Sequence, residues 1–179
     1  AAAEPVERSI QIRPATLLAW PQDTFRKVGK ENPRFKILYD GFLFGDDETL
    51  LERVPRAETP ATIDSELGAY PVNLSGGLSK NYTFKYLEGT LHVVEPGKKS
   101  QWIYFEQNLD GFRPEDFVRL EARTTSGLSV TYEILEGRYL LNLPEPDVLE
   151  FRETGSVMIR AIQEGDADFN PAPSVTRVF

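Results

Sequence analysis

GLSKNYTFKYLEGTLHVV, residues 77–94, is the stretch that decides the fold class. From Asn81 to Leu87 aromatic and polar side chains alternate, through Tyr82, Thr83, Phe84, Lys85 and Tyr86. A period of two is the mark of a half-buried strand. Thr90 to Val94 alternates again, with Leu91 and Val93 on one face and His92 on the other. Glu88-Gly89 between them reads as a tight turn, because glycine tolerates positive φ. The expectation is therefore a β-hairpin.

Working outward, the same pattern recurs. Further strands are expected at Ile10–Arg13, Thr16–Trp20, Phe35–Tyr39, Tyr70–Leu74, Gln101–Phe105, Phe117–Ala122, Val130–Ile134, Tyr139–Leu143, Gly155–Ile162 and Ser174–Phe179. The gaps are punctuated by 13 glycines and 13 prolines. DETLLERV (47–54) is the best helix candidate, one or two turns long. No segment sustains the i, i+3, i+4, i+7 spacing of a longer helix. An all-β chain of many short strands predicts sandwich-like domains. EPGKKS (95–100) is the expected boundary, because it follows a completed pair of strands and holds proline, glycine and two lysines. The expected organisation is two tandem small β domains, 1–95 and 101–179, joined by a linker at 96–100. In the second, Ile103, Phe105, Leu120, Val130, Tyr132, Val157, Ile159 and Ala161 alternate as inward residues should. SGGLSKNYTFKYLEG (75–89) and SGLSVTYEILEG (126–137) echo each other, but their spacing differs, so the echo reads as shared turn grammar rather than duplication.

Composition narrows the function classes. The chain of 179 residues carries a formal net charge of −8. Nucleic-acid binding needs basic surface to displace counterions, and no basic cluster exceeds Lys98-Lys99, so neither nucleic acid nor an anionic membrane is an expected partner. No apolar run approaches the roughly 18 residues of a membrane helix. The opening AAAEPVERS lacks the charged and apolar regions of a signal peptide. Cysteine is absent, which removes disulfides, thiol nucleophiles and thiolate metal sites.

Catalytic signals are sparse. His92 is the single histidine. On an alternating strand it reads as solvent-facing. No Gly-x-Ser-x-Gly elbow exists; Ser75–Ser79 resembles one and reads as a turn. GDDE (45–48) offers Asp46, Asp47 and Glu48 to an acidic hydrolase, but a solvated turn with a capping aspartate is the plainer reading. GDADFN (165–170) sets Asp166, Asp168 and Asn170 at alternate positions, as a calcium loop does. It lacks the glycine and glutamate that complete such a loop, and a β-turn between the last two strands is the plainer reading. Neither an enzyme nor a cofactor is expected. The aromatics say more. Trp102 and Tyr104 share a face opposite Ile103 and Phe105, so they point outward if the latter pair faces the core. Exposed aromatics stack on sugars or bury at interfaces. Next to the linker, contact with the first domain is the expected use of Trp102, and ligand binding by Trp102 and Tyr104 is the alternative.

The motifs also resemble known families. The first half resembles the MBG domain of bacterial surface proteins. The matching residues are Asn32-Pro33, YDGFLFGDDETL (39–50), LGAYPVNLSG (67–76), Asn81-Tyr82, Tyr86, Gly89-Thr90-Leu91 and Val93. Val28-Gly29 departs from the family's Tyr-Gly. The second half resembles a bacterial Ig-like repeat through WIYFEQ (102–107), Ala122–Tyr132 and Gly155–Pro173. What the resemblance implies is an Ig-like β-sandwich for the second domain and a sandwich or related β fold for the first. It also implies an exported, multidomain bacterial protein of adhesive or stalk type, acting at the cell surface, the periplasmic face or outside the cell. The implied partner is a host or bacterial surface protein or a glycan.

Overall fold

The computed structural model describes residues 13–179. The expected strand at Ile10–Arg13 lies almost wholly outside them. The described residues are all-β, with helix confined to two single 3-10 turns at Glu48–Leu50 and Arg138–Leu140. DETLLERV thus makes only one turn. Asp47 caps it, its Oδ1 accepting from the Thr49 N–H at 2.8 Å. Three residues cannot build the α-ladder that would carry the turn further.

In the first half, β1 (Ala15–Pro21), β2 (Thr24–Lys27), β3 (Ile37–Asp40), β4 (Arg56–Glu58), β5 (Gly68–Ser75), β6 (Tyr82–Tyr86) and β7 (Gly89–Val94) form two sheets. One has the order β3-β1-β6, the other β2-β7-β5-β4. β6 and β7 are therefore not a hairpin. β6 runs parallel to β1 and β7 parallel to β2, in different sheets. A two-residue hairpin turn needs positive φ. Neither Glu88 nor Gly89 has it, so the chain does not reverse there but crosses from one sheet to the other. β1 and β2 make the same crossing alongside, through Gln22-Asp23. The Leu87 N–H donates to the Ala19 carbonyl at 3.1 Å where the two crossings meet. Gly89 is needed for contact rather than for turning: a Cβ there would lie 2.5 Å from the Pro21 carbonyl oxygen. The alternation along 81–94 is real, but it reports only that each strand has a buried face, not which strand is its neighbour.

Each sheet covers its own small core. Leu17, Leu51 and Tyr82 cluster under the first, and Ala61, Val72 and Leu91 under the second. Arg26 is buried as well. Its guanidinium donates to Asn32 Oδ1 at 2.7 Å and to the Thr62 carbonyl, and Asn32 Nδ2 donates to the Ala61 carbonyl at 2.6 Å. The buried charge is thus bedded on oxygen acceptors that tie two long loops to β2.

The second half holds β8 (Ile103–Tyr104), β9 (Phe117–Arg119), β10 (Arg123–Thr124), β11 (Thr131–Glu136), β12 (Leu141–Glu145), β13 (Val148–Phe151), β14 (Met158–Ile162) and β15 (Val175–Val178). Two three-stranded antiparallel sheets, β11-β14-β15 and β12-β13-β9, and the β8-β10 pair surround one core. Ile103, Phe105, Leu120, Val157, Ile159 and Ala161 are buried in it, with Val130 and Tyr132 packed against it, as the alternation predicts. The expected strand at Tyr139–Leu143 begins as the second 3-10 turn instead, because Gly137 at φ 75° redirects the chain into it. β2, β4, β10 and β13 are not among the expected strands; each is four residues or fewer, too short for a period to declare itself.

Candidate functional site

The densest polar chemistry gathers where the two halves meet. Three stretches converge there: the crossings of the first half, the segment 95–101, and the loop between β14 and β15.

Asp23 sits at the β1-to-β2 crossing and is buried. Its Oδ1 accepts the Thr90 N–H at 2.7 Å, and its Oδ2 accepts the Ser174 hydroxyl from the start of the last strand. Beside it the Arg160 guanidinium donates to the Glu88 carbonyl at 2.8 Å. Lys85 on β6 pairs with Glu136 on β11 at 2.7 Å. One aspartate and two ion-bearing side chains thus link both crossings to β11, β14 and β15.

Asn170 is the second anchor, only 4% exposed. Its Oδ1 accepts the Glu95 N–H at 3.2 Å, and its Nδ2 donates to the carbonyls of Glu95 and Lys98 at 3.1 and 3.2 Å. The backbone of Lys99 pairs with the same loop, donating to the Asp168 carbonyl and accepting from the Asn170 N–H, each at 2.9 Å. Gln101, wholly buried, donates through Nε2 to the Asn170 carbonyl at 2.8 Å and to Gln163 Oε1 at 2.7 Å. The connecting segment is therefore clamped along its length.

This arrangement gives GDADFN its role. Asp166 Oδ1 accepts the N–H groups of Asp168 and Phe169 at 2.8 and 2.9 Å, which closes the turn. Asn170 is spent on the connecting segment. Of the three alternate residues, Asp166 closes the turn, Asn170 serves the clamp, and Asp168 takes part in both through its backbone. Among the described residues no group of three or more metal-ligating side chains comes together.

His92 faces a cleft of about 340 Å³ between the halves, lined also by Lys98, Glu164 and Asn170. It is half-buried, not solvent-facing. Its strand face does point away from the β7 core, but the second half covers that face. Burial pushes the imidazole below its ordinary pKa, against the opposing pull of the Asp23 and Glu164 carboxylates.

Trp102 and Tyr104 lie on the outer face of β8, 50% and 47% exposed, with Ile103 and Phe105 in the core. Trp102 meets Phe25 of β2 edge-to-face, ring centroids 6.2 Å apart. It therefore makes the contact with the first half expected from its place. Tyr104 stands across from the exposed Arg123 in the β8-β10 register.

The acidic trio at 46–48 is separately employed. Asp46 Oδ2 accepts the Tyr82 hydroxyl at 2.7 Å. Asp47 caps the 3-10 turn, and its bond from the Thr49 hydroxyl holds its carboxyl below the usual range. A general acid needs the opposite shift. Next to them stands a feature that periodicity misses: Phe44, fully exposed, at φ 56°. With Gly45 at φ 85° it forms the tip of a turn closed by the Asp46 N–H on the Leu43 carbonyl. The signal in the sequence was Phe44-Gly45-Asp46, an aromatic held in a glycine turn.

The comparison with known families bears on residues that now have positions. Residues 18–92 match the family described as MBG domain (YGX type). Over those residues the chain is similar to an MBG domain, and the match spans both crossings and ends on β7 at His92. Asn32, Tyr82 and Gly89, carriers of the resemblance, hold respectively the Arg26 loop, the Asp46 turn and the crossing at Pro21. MBG domains are modules of bacterial surface proteins. No curated protein matches the chain. No helix among the described residues is long and apolar enough to cross a membrane.

Proposed function

We propose that the chain is a non-enzymatic segment of an exported bacterial surface protein, a stalk or spacer that carries adhesion either itself or through neighbours. It is read as an MBG module at 1–95, a short linker at 96–100 and an Ig-like module at 101–179. The observation that carries the reading is the bracing of the junction: Asp23, Asn170, Arg160, Lys85 and Trp102 all bind across it. A spacer must transmit length and direction, so the joint between modules has to resist bending. The buried polar side chains at the junction are satisfied by partners on the other side, which penalises opening by the cost of each unmade bond.

A second reading has an observation of its own. The half-exposed Tyr104, with Arg123 across from it and Trp102 beside it, fits the stacking-plus-polar arrangement that binds a sugar. A glycan array with the intact chain separates the two. The spacer reading expects no saturable binding. Saturable binding that disappears in Tyr104→Ala would replace it with a lectin-like adhesin. Acidic hydrolysis at Asp46, Asp47 or Glu48 is the weakest alternative, since Asp46 and Asp47 are already committed to the local turn.

A further inference from the structure

Both sheets of the first half end in an unpaired strand, and both open edges border one groove. β3 is terminal in the order β3-β1-β6, and β4 in β2-β7-β5-β4. The groove between them, about 920 Å³, is lined by Phe35, Ile37 and Ala57 and by Arg34, Lys36 and Arg56.

The hydrogen-bond alternation of β3 tells which backbone groups are available. The Gln22 N–H donates to the Lys36 carbonyl at 2.8 Å. In an antiparallel ladder bonded and non-bonded pairs alternate, so Lys36, Leu38 and Asp40 turn toward β1. Two facts agree. Ile37 stands opposite Pro21, which has no N–H to share. Tyr39 stands opposite Ala19, whose carbonyl is engaged on the β6 side by Leu87. The backbone groups of Phe35, Ile37 and Tyr39 therefore point away from β1, and among the described residues no other backbone group bonds to them.

An open edge invites an added strand, and proteins ordinarily blunt such edges. Here the groove beside the edge carries a cationic excess. The chain as a whole is strongly acidic, at −8, yet three cations stand along this groove against Glu48. Among the described residues neither Arg34 nor Lys36 has a salt-bridge partner, and Arg56 reaches only the exposed Glu58 of its own strand at 3.6 Å.

We propose that this groove receives an extended, acidic segment of a partner polypeptide as an added strand. Its backbone pairs with Phe35, Ile37 and Tyr39. Its alternate apolar residues rest on the Phe35, Ile37 and Ala57 side chains, and its carboxylates meet Arg34, Lys36 and Arg56. Backbone pairing supplies affinity and the charge pattern supplies selectivity. This goes beyond the spacer reading, which stands whether or not the groove binds.

The test uses the whole chain and a fluorescein-labelled peptide of alternating valine and glutamate, with a valine–lysine peptide as control. Anisotropy should show saturable binding of the first, weakened about tenfold or more for the control and in Lys36→Glu, an exposed site that leaves the fold alone. Ile37→Pro removes an outward N–H together with part of the apolar side chain on which the peptide rests, and should weaken binding about fivefold or more. The amides of Ile37 and Tyr39 should gain protection from hydrogen exchange when peptide is bound. Equal affinity for both peptides, no binding, or unchanged protection would overturn the proposal. So would protection of those amides that appears with chain concentration alone, since the occupant would then be a second copy.

Discussion

Replacing Asn170 by alanine removes three hydrogen bonds in one step: from Glu95 N–H, and to the carbonyls of Glu95 and Lys98, all at 3.1–3.2 Å. A net hydrogen bond contributes about 0.5–1.5 kcal/mol. The distances are at the long end of the range, and water can reach the exposed Glu95 once the side chain is gone, so each bond belongs in the lower half of that interval. The expected loss is about 2 kcal/mol, which for a chain of this size lowers Tm by roughly 4–8 °C. Urea unfolding of Asn170→Ala beside the parent measures it. Asn170→Asp sharpens the test. The substitution keeps the acceptor but turns a carboxylate onto two carbonyl oxygens, so it should cost more than alanine. A calcium loop would predict the reverse, with Asn170→Asp gaining stability from added calcium. A loss below about 0.5 kcal/mol for alanine, or calcium-dependent rescue of the aspartate variant, would refute the clamp.

Three other outcomes follow from particular residues. Gly89→Ala pushes a Cβ to 2.5 Å from the Pro21 carbonyl and 2.6 Å from its Cγ; it should destabilise by about 1–3 kcal/mol or more, as overpacking does, read by the same urea titration. Phe44→Gly should do the opposite, stabilising by about 1 kcal/mol in thermal melts, because it relieves positive φ at a side chain that is fully exposed. For His92 the folded pKa lies below the unfolded one, so the unfolded chain takes up the proton first. The stability His92 confers is fully present above the unfolded value near 6.5 and is lost as pH falls through the window beneath it. Urea midpoints should decline there in the parent, and His92→Gln should flatten that part of the profile.

The sequence carried the class of the fold much further than its connections. Period two along 81–94 and the inward set from Ile103 to Ala161 are properties of a strand against its core, and both survive in the structure. Which strands are neighbours is a long-range fact. Glu88-Gly89 looks the same whether it turns or crosses, and only the proximity of Pro21 shows why glycine stands there. The candidate residues divide in the same way. Trp102 and Tyr104 were legible because two core residues beside them fix their direction. Asp166, Asp168 and Asn170 were legible as a turn, but the clamp on Glu95 was not, since its partners lie 72 to 75 residues away in the chain. His92 was placed on the correct face of its strand and in the wrong surroundings, because alternation cannot foresee that residues far along the chain pack against that face.

The central claim is that the two halves are held as one braced body. A chain without cysteine allows spin labels at Glu58→Cys and Arg152→Cys, exposed positions on opposite halves, with no background label. Pulsed electron spin resonance between them should give one narrow distance distribution, unchanged by ionic strength and broadened in Asn170→Ala. A broad or multiple distribution in the parent chain would contradict the account, for the halves would then move on a free linker and the junction would not serve as a brace.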